Sequence, residues 1–236
     1  RWNLFAIDIK NEPHDRARWG NSSWDFDWNR AAERLISNLE LRFSGLFFVE
    51  GIEWGTSFEG ALSFPIDTSF GRIFKRDDRV VYSPHAFGPS VHELPEFQDP
   101  DFPNNLHSFY NTKFGFLRNH TGQPVVIGSW GGQVNAGSRD KFWHEWYVEW
   151  LRIHCLTNNF YQTLITSDGG AGGVLEADCT TPVELKLQLL THAQPNPTKF
   201  LAQSGKLCIA HGVFPEEHCR IGGKVTTLDV DISTAS

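Results

Sequence analysis

Five short apolar runs, each closing on a polar cluster, recur along this chain with helix-patterned segments between them. They occupy residues 3–9, 45–50, 79–83, 124–128 and 159–164. Runs of this kind suit strands buried on both faces, the pattern of a parallel sheet. Parallel strands need long crossovers, and the intervening segments have helical composition. Residues 31–39 place Leu35, Ile36 and Leu39 on one helical face. Residues 104–119 have room for a helix. Ser138 is positioned to cap a helix from 139 to about 156, with Phe142, Trp146, Trp150 and Ile153 as its expected apolar stripe. Residues 182–190 fit a last helix with proline at an early position. Strand and helix in alternation predict an α/β fold with a parallel sheet.

From Gln194 onward the composition changes, with Pro195, Pro197, Gly205, Gly222 and Gly223. The expected organisation is therefore one α/β unit over 1–193 and a C-terminal extension over 194–236 with small strands of its own. The Thr- and Ser-containing end after Lys224 is expected to be disordered.

Composition narrows the partners. Lys+Arg number 21 against 28 Asp+Glu, a net charge of −7 with no basic block, which argues against nucleic acid or an anionic membrane surface. No run of eighteen apolar residues is present, so no transmembrane helix is expected. The 9 Trp, 19 Phe and 4 Tyr include flat apolar faces suited to sugar rings, although most aromatics of a globular chain are core. Cys155, Cys179, Cys208 and Cys219 allow three full pairings, and Asn21-Ser22-Ser23 and Asn119-His120-Thr121 are glycosylation sequons. Together these features favour an oxidising, secreted setting. The chain has no Met and begins Arg1-Trp2-Asn3, as a processed or excised segment would.

In parallel α/β folds the chemistry gathers at the carboxyl ends of the strands. Those ends read Lys10-Asn11-Glu12-Pro13-His14, Glu50-Gly51-Ile52-Glu53-Trp54, Ser83-Pro84-His85-Ala86-Phe87, Ser129-Trp130-Gly131-Gly132, and Gln162 leading into the glycine-rich 167–173. A carboxyl group at such a strand end, here Glu12, is a candidate general acid.

The blocks I-K-N-E-P-H-D, L-F-F-V-E-G, V-Y-S-P-H-A-F-G-P-S-V, F-Q-D-P-D-F-P-N-N-L, P-V-V-I-G-S-W-G-G and G-G-V-L-E-A-D-C-T-T-P, in that order, resemble the cellulase-type members of glycoside hydrolase family 5 over residues 3–190. The resemblance implies a (β/α)8 TIM-barrel type fold and retaining hydrolysis of β-glucan by two glutamates, with no cofactor and no metal. It equates the five strands with the fourth to eighth of the barrel, so that the first three have no counterpart here. A full barrel takes about 250 residues, and five strands alone would leave two open edges. A longer native product is expected on that ground.

Residue by residue, Glu12 matches the acid/base, Asn11 the ligand of the sugar 2-hydroxyl, and His85 the histidine of the sixth strand. Three positions depart from the family. Phe87 replaces a tyrosine, Ser129 stands at the nucleophile glutamate, and Gln162 replaces the tryptophan platform. Trp130, beside Ser129, is expected with Asn11, His85, Phe87 and Gln162 to bind substrate.

The departures are physically linked. Retention needs two carboxyl groups about 5 Å apart, one of them a nucleophile. Ser129 is shorter, neutral and without an evident base to activate it, and Phe87 lacks the hydroxyl that would hold the nucleophile. Hydrolysis by this copy is therefore expected to be weak or absent. A non-catalytic carbohydrate-binding pseudoenzyme and a non-functional fragment are the alternatives. Pairing Glu12 with Glu50 or Glu53 for inversion would need about 6.5–9.5 Å and room for a water, and the resemblance does not support it.

The expected partner is a β-glucan polysaccharide or oligosaccharide, met outside the cell by a monomer. Cys208, His211, His218 and Cys219 do not have a standard zinc spacing, and a Cys208–Cys219 disulfide is the simpler expectation. Residues 169–173 lack the Lys and Ser/Thr of a phosphate loop. His14 and His92 are expected to be loop residues without a catalytic role.

Overall fold

A computed structural model describes residues 4–20, 23–67, 79–135, 137–165 and 171–193, together with the backbone of three strands farther on. Strands β1 (Ala6–Asp8), β2 (Leu46–Val49) and β3 (Val80–Tyr82) form one parallel sheet in that order. Strands β4 (Ala86–Phe87), β5 (Ile127–Gly131) and β6 (Asn159–Tyr161) form a second. The two sheets are continuous. Tyr82 takes a hydrogen bond from Val126 N–H and donates its own N–H to Pro124, while Gly128 N–H donates to the Pro84 carbonyl. β3 and β4 are thus two halves of one strand interrupted at Ser83-Pro84-His85, and the chain presents five parallel strands, as its apolar runs predict.

The connections are helical. Helix α1 (Trp28–Leu39) joins β1 to β2. Residues 106–120 carry α2 (Leu106–Tyr110), a π-helical turn (Asn111–Gly115) and α3 (Leu117–His120). Helix α4 (Arg139–Ile153) lies between β5 and β6, and α5 (Glu184–Ala193) follows β6. Ser138 caps α4 as expected, its Oγ accepting from Lys141 N–H at 3.1 Å.

Two helix faces differ from expectation. In α4 the buried side chains include Trp143, His144, Tyr147, Trp150 and Leu151, whereas Phe142 and Ile153 are 47% and 60% exposed. Both stripes fit a helical period. The packing that decides between them is an aromatic layer in which Trp143, Tyr147 and Trp150 stack in turn and meet Tyr110 and Trp130 at tilted angles. In α1 the buried side includes Trp28, Ala32 and Ile36, and Leu35 is exposed.

Cys155 is disulfide-bonded and Cys179 is a free, exposed thiol, so these two do not pair. Strands β7 (Lys199–Gln203), β8 (Lys206–Ala210) and β9 (Asp229–Asp231) form a separate antiparallel sheet. β9 corrects the expectation of disorder after Lys224, because residues 229–231 pair with 206–208. Asn21, residues 166–170, the cysteine side chains at 208 and 219, His211 and His218 lie outside the described residues. Among the described residues no helix is long and apolar enough to cross a membrane.

Candidate active site

Residues paired directly across parallel strands share a face. Asp8 pairs with Phe48 and Phe48 with Val81, so Glu50, two residues beyond Phe48, projects from that same face at the carboxyl end of β2. His85 rises beside it from the break between β3 and β4. Glu50 is 1% exposed and His85 4% exposed.

Glu12 sits at the loop following β1, and both ends of it are held. Its backbone N–H donates to Glu50 Oε2 at 2.7 Å. Its carboxylate Oε1 accepts from His85 Nδ1 at 3.0 Å. The ring completes the circuit, with His85 Nε2 lying 3.3 Å from Glu50 Oε1. Glu12 adopts φ +45°, a left-handed conformation that a side-chain-bearing residue keeps only where its surroundings enforce it. The clamp from Glu50 is what enforces it.

The two carboxyl groups have opposite protonation preferences. The hydrogen bond from His85, aided by the charges of His85, His92 and His14, holds Glu12 below the ordinary carboxylic range against the effect of burial. Burial first, and the adjoining Asp8 carboxyl second, push Glu50 up to about 9, so it carries a proton at neutral pH. Glu12 is therefore the anion of the site and Glu50 a neutral support beneath it.

Asp8, Glu50 and His85 also hold one donor atom each within 4.8 Å of one another, the one such group among the described residues. A cation there would have to displace the Glu50 proton, and His85 already commits Nδ1 to Glu12. The donor set suits proton sharing better than metal binding.

Ser129 lies on β5, directly after Gly128. A Cβ at Gly128 would come within 2.6 Å of His85 Nε2 and 2.7 Å of Ser83 Oγ. Only glycine lets β5 approach the His85 ring this closely. Among the described residues the Ser129 hydroxyl takes part in no hydrogen bond. The residues at 162–191 with defined placement include Gln162, which is exposed and donates its N–H to the Trp130 carbonyl.

The comparisons with known proteins bear on this arrangement. Residues 2–164 match the family model for cellulase, glycosyl hydrolase family 5. This chain belongs to glycosyl hydrolase family 5. It is 32% identical over 194 residues to an endoglucanase of Paenibacillus polymyxa, covering 75% of this chain and 46% of that protein. It is 31% identical over 202 residues to the major extracellular endoglucanase of Xanthomonas campestris, covering 79% of this chain and 40% of that protein. Among solved structures, an endocellulase from Pyrococcus horikoshii in complex with cellotetraose superposes with a TM-score of 0.73 at 30% identity, covering 82% of this chain and 58% of the other. The chain spans less than half the length of the curated relatives named here.

Within this glycosyl hydrolase family 5 chain, the structure brings Glu12 and His85 into contact and leaves Asn11 exposed beside them. Phe87 is buried, its ring edge-on to His85 at 6.3 Å and to His92 at 5.4 Å. Trp130 corrects an expectation. It is 0% exposed, packs against Tyr147 and Tyr161, and donates its indole N–H to Asn159 Oδ1 at 2.9 Å, so it offers no face to a sugar.

Three neighbours of Glu12 have no assigned role in the sequence reading. Glu50, considered there only as a reacting partner, is 1% exposed and accepts the Glu12 N–H. The alternation of Phe48 and Glu50 along β2 was the available signal. His14 and His92, expected to be loop residues, lie near enough to Glu12 to influence it. His14 Nδ1 donates to the Glu12 carbonyl at 2.5 Å, and both imidazoles lower the Glu12 pKa.

Proposed function

We propose that this chain forms part of an endo-acting β-1,4-glucan hydrolase cleft of the cellulase type, its five strands corresponding to the fourth to eighth of a (β/α)8 barrel. Glu12 is the acid/base position, Asn11 and His85 orient sugar and carboxylate, and Phe87 and Gln162 flank the cleft. The hydrogen bond between His85 and Glu12 at the strand ends carries this reading, supported by the endoglucanase relatives.

As it stands, the copy binds β-glucan and hydrolyses it slowly or not at all. An acid catalyst must hold a proton when the leaving oxygen departs. In a retaining site the neighbouring nucleophile carboxylate raises the acid's pKa. With Ser129 at that position no such charge is present, and the histidines draw Glu12 down instead. The same observation favours the second reading, a carbohydrate-binding protein without turnover. Secretion accords with the disulfide at Cys155.

Calorimetry and reducing-end release with cellotetraose test the proposal together. Binding with negligible release is expected. Absence of binding to cellotetraose and to longer soluble β-1,4-glucan overturns the cleft assignment, and release at rates matched by Glu12→Gln overturns the role of Glu12.

A further inference from the structure

The first turn of α4 carries a carboxylate that its helix does not need as a cap, because Ser138 already fills that place. Asp140 is 8% exposed. A carboxylate so buried costs free energy unless it is hydrogen-bonded. Its partners lie in a loop and not in the helix. Asp140 Oδ1 accepts from the Ser90 N–H at 3.0 Å and from Ser90 Oγ at 2.7 Å. Bonds to a charged acceptor are the stronger kind.

Two glycines make the seat for this oxygen. A Cβ at Gly88 would come within 2.7 Å of Asp140 Oδ1, and a Cβ at Gly132 within 2.8 Å. Gly88 directly follows β4 and Gly132 directly follows β5. The two strand ends are in register, Phe87 pairing with Gly131, and Gly88 N–H donates to the Gly131 carbonyl at 2.9 Å. The carboxylate therefore lies against both points where neighbouring strands turn into loops.

Ser90 passes the grip from one loop to the other. Its Oγ donates to Asp140 and accepts from Gln133 N–H at 3.0 Å. On the β4 side, Ser90 lies inside a tight turn in which the Val91 and His92 N–H groups both donate to the Gly88 carbonyl, at 3.0 and 3.1 Å. That turn sets the His92 ring edge-on to Phe87, whose own ring is edge-on to His85.

We propose that Asp140 is a positioning residue for the candidate active site, its carboxylate tying together the loops that leave β4 and β5 and so holding His92 and Phe87 beside His85 and Glu12. It acts through these residues and not on a substrate. Its importance for turnover or binding rests on the reading of Glu12 given above.

Glu12 reports on the clamp. The ionisable groups acting on it are His85, His92 and His14, with Glu50 held neutral alongside. Those around Asp140 are Lys186, Tyr161 and His144. Removing the Asp140 charge would by itself lower a carboxyl pKa, whereas moving the His92 charge away raises that of Glu12. A rise is thus the mark of a loosened loop.

The test follows the Glu12 carboxyl by carbon-13 NMR titration in the unsubstituted chain, Asp140→Ala, Asp140→Asn and Ser90→Ala. Glu12 is expected to titrate higher in Asp140→Ala and in Ser90→Ala. Asp140→Asn keeps an oxygen acceptor for Ser90 and is expected to stay close to the unsubstituted chain. Ser90 is exposed, so its truncation leaves the core closed and decides the matter should Asp140→Ala not fold. An unchanged Glu12 titration in Ser90→Ala overturns the inference, as does Asp140→Asn matching Asp140→Ala, which would assign the effect to charge alone. Cellotetraose calorimetry on the unsubstituted chain judges the cleft reading separately: absence of binding overturns that reading and leaves the Glu12 comparison to judge Asp140.

Discussion

Glu50 grips Glu12 at the backbone: the Glu12 N–H donates to Glu50 Oε2 at 2.7 Å and keeps Glu12 in a left-handed conformation. The residue that aims the candidate acid/base is thus a buried, protonated carboxyl on the neighbouring strand.

Truncating Glu50 strips that N–H of its partner and leaves His85 Nε2 facing a void. Glu50→Ala is expected to destabilise the chain by about 1–3 kcal/mol, the usual penalty of an orphaned buried donor. Glu50→Gln keeps an acceptor for the N–H and should lose less. Urea unfolding midpoints of the two variants check the order.

The Glu50 proton also sets a pH dependence. Its folded pKa, about 9, lies above the unfolded value near 4.5. The folded chain then holds a proton that the unfolded chain has released, so the contribution is fully present below about 4.5 and is lost as pH rises towards 9. Stability measured by denaturant titration should fall across that window. Glu50→Gln should flatten the curve there, and an unchanged slope would count against the buried protonated carboxyl.

Trp130 belongs to the core, so its replacement is a stability mutation. Trp130→Ala is expected to cost about 3–5 kcal/mol, as for other large aromatic truncations. Trp130→Phe should cost less while abandoning the hydrogen bond to Asn159. Chemical denaturation of the two variants checks the order.

The parallel strands were legible because their apolar runs are continuous and end in polar clusters, and the cap at Ser138 because its chemistry is local. Packing decided the rest. Helix α4 is aromatic on more than one side, so periodicity allowed both the stripe through Phe142 and the one through Trp143. Trp130 lies just beyond a register irregularity between Ile127 and Ser129, which breaks the simple alternation from which facing is inferred. The placement of Glu50 beneath Glu12 depends on strand register and on a left-handed backbone angle that no composition rule supplies.

Glu12 and position 129 are proposed to face one another as an acid/base and a vacated nucleophile position. The most direct test is a carbon-13 NMR titration of the Glu12 side-chain carboxyl in the unsubstituted chain and in Ser129→Glu. The Glu12 pKa is expected to lie below the ordinary glutamate value in the unsubstituted chain and to move upward once a second carboxylate stands at 129. A Glu12 titration indifferent to Ser129→Glu would show that the two positions do not face one another.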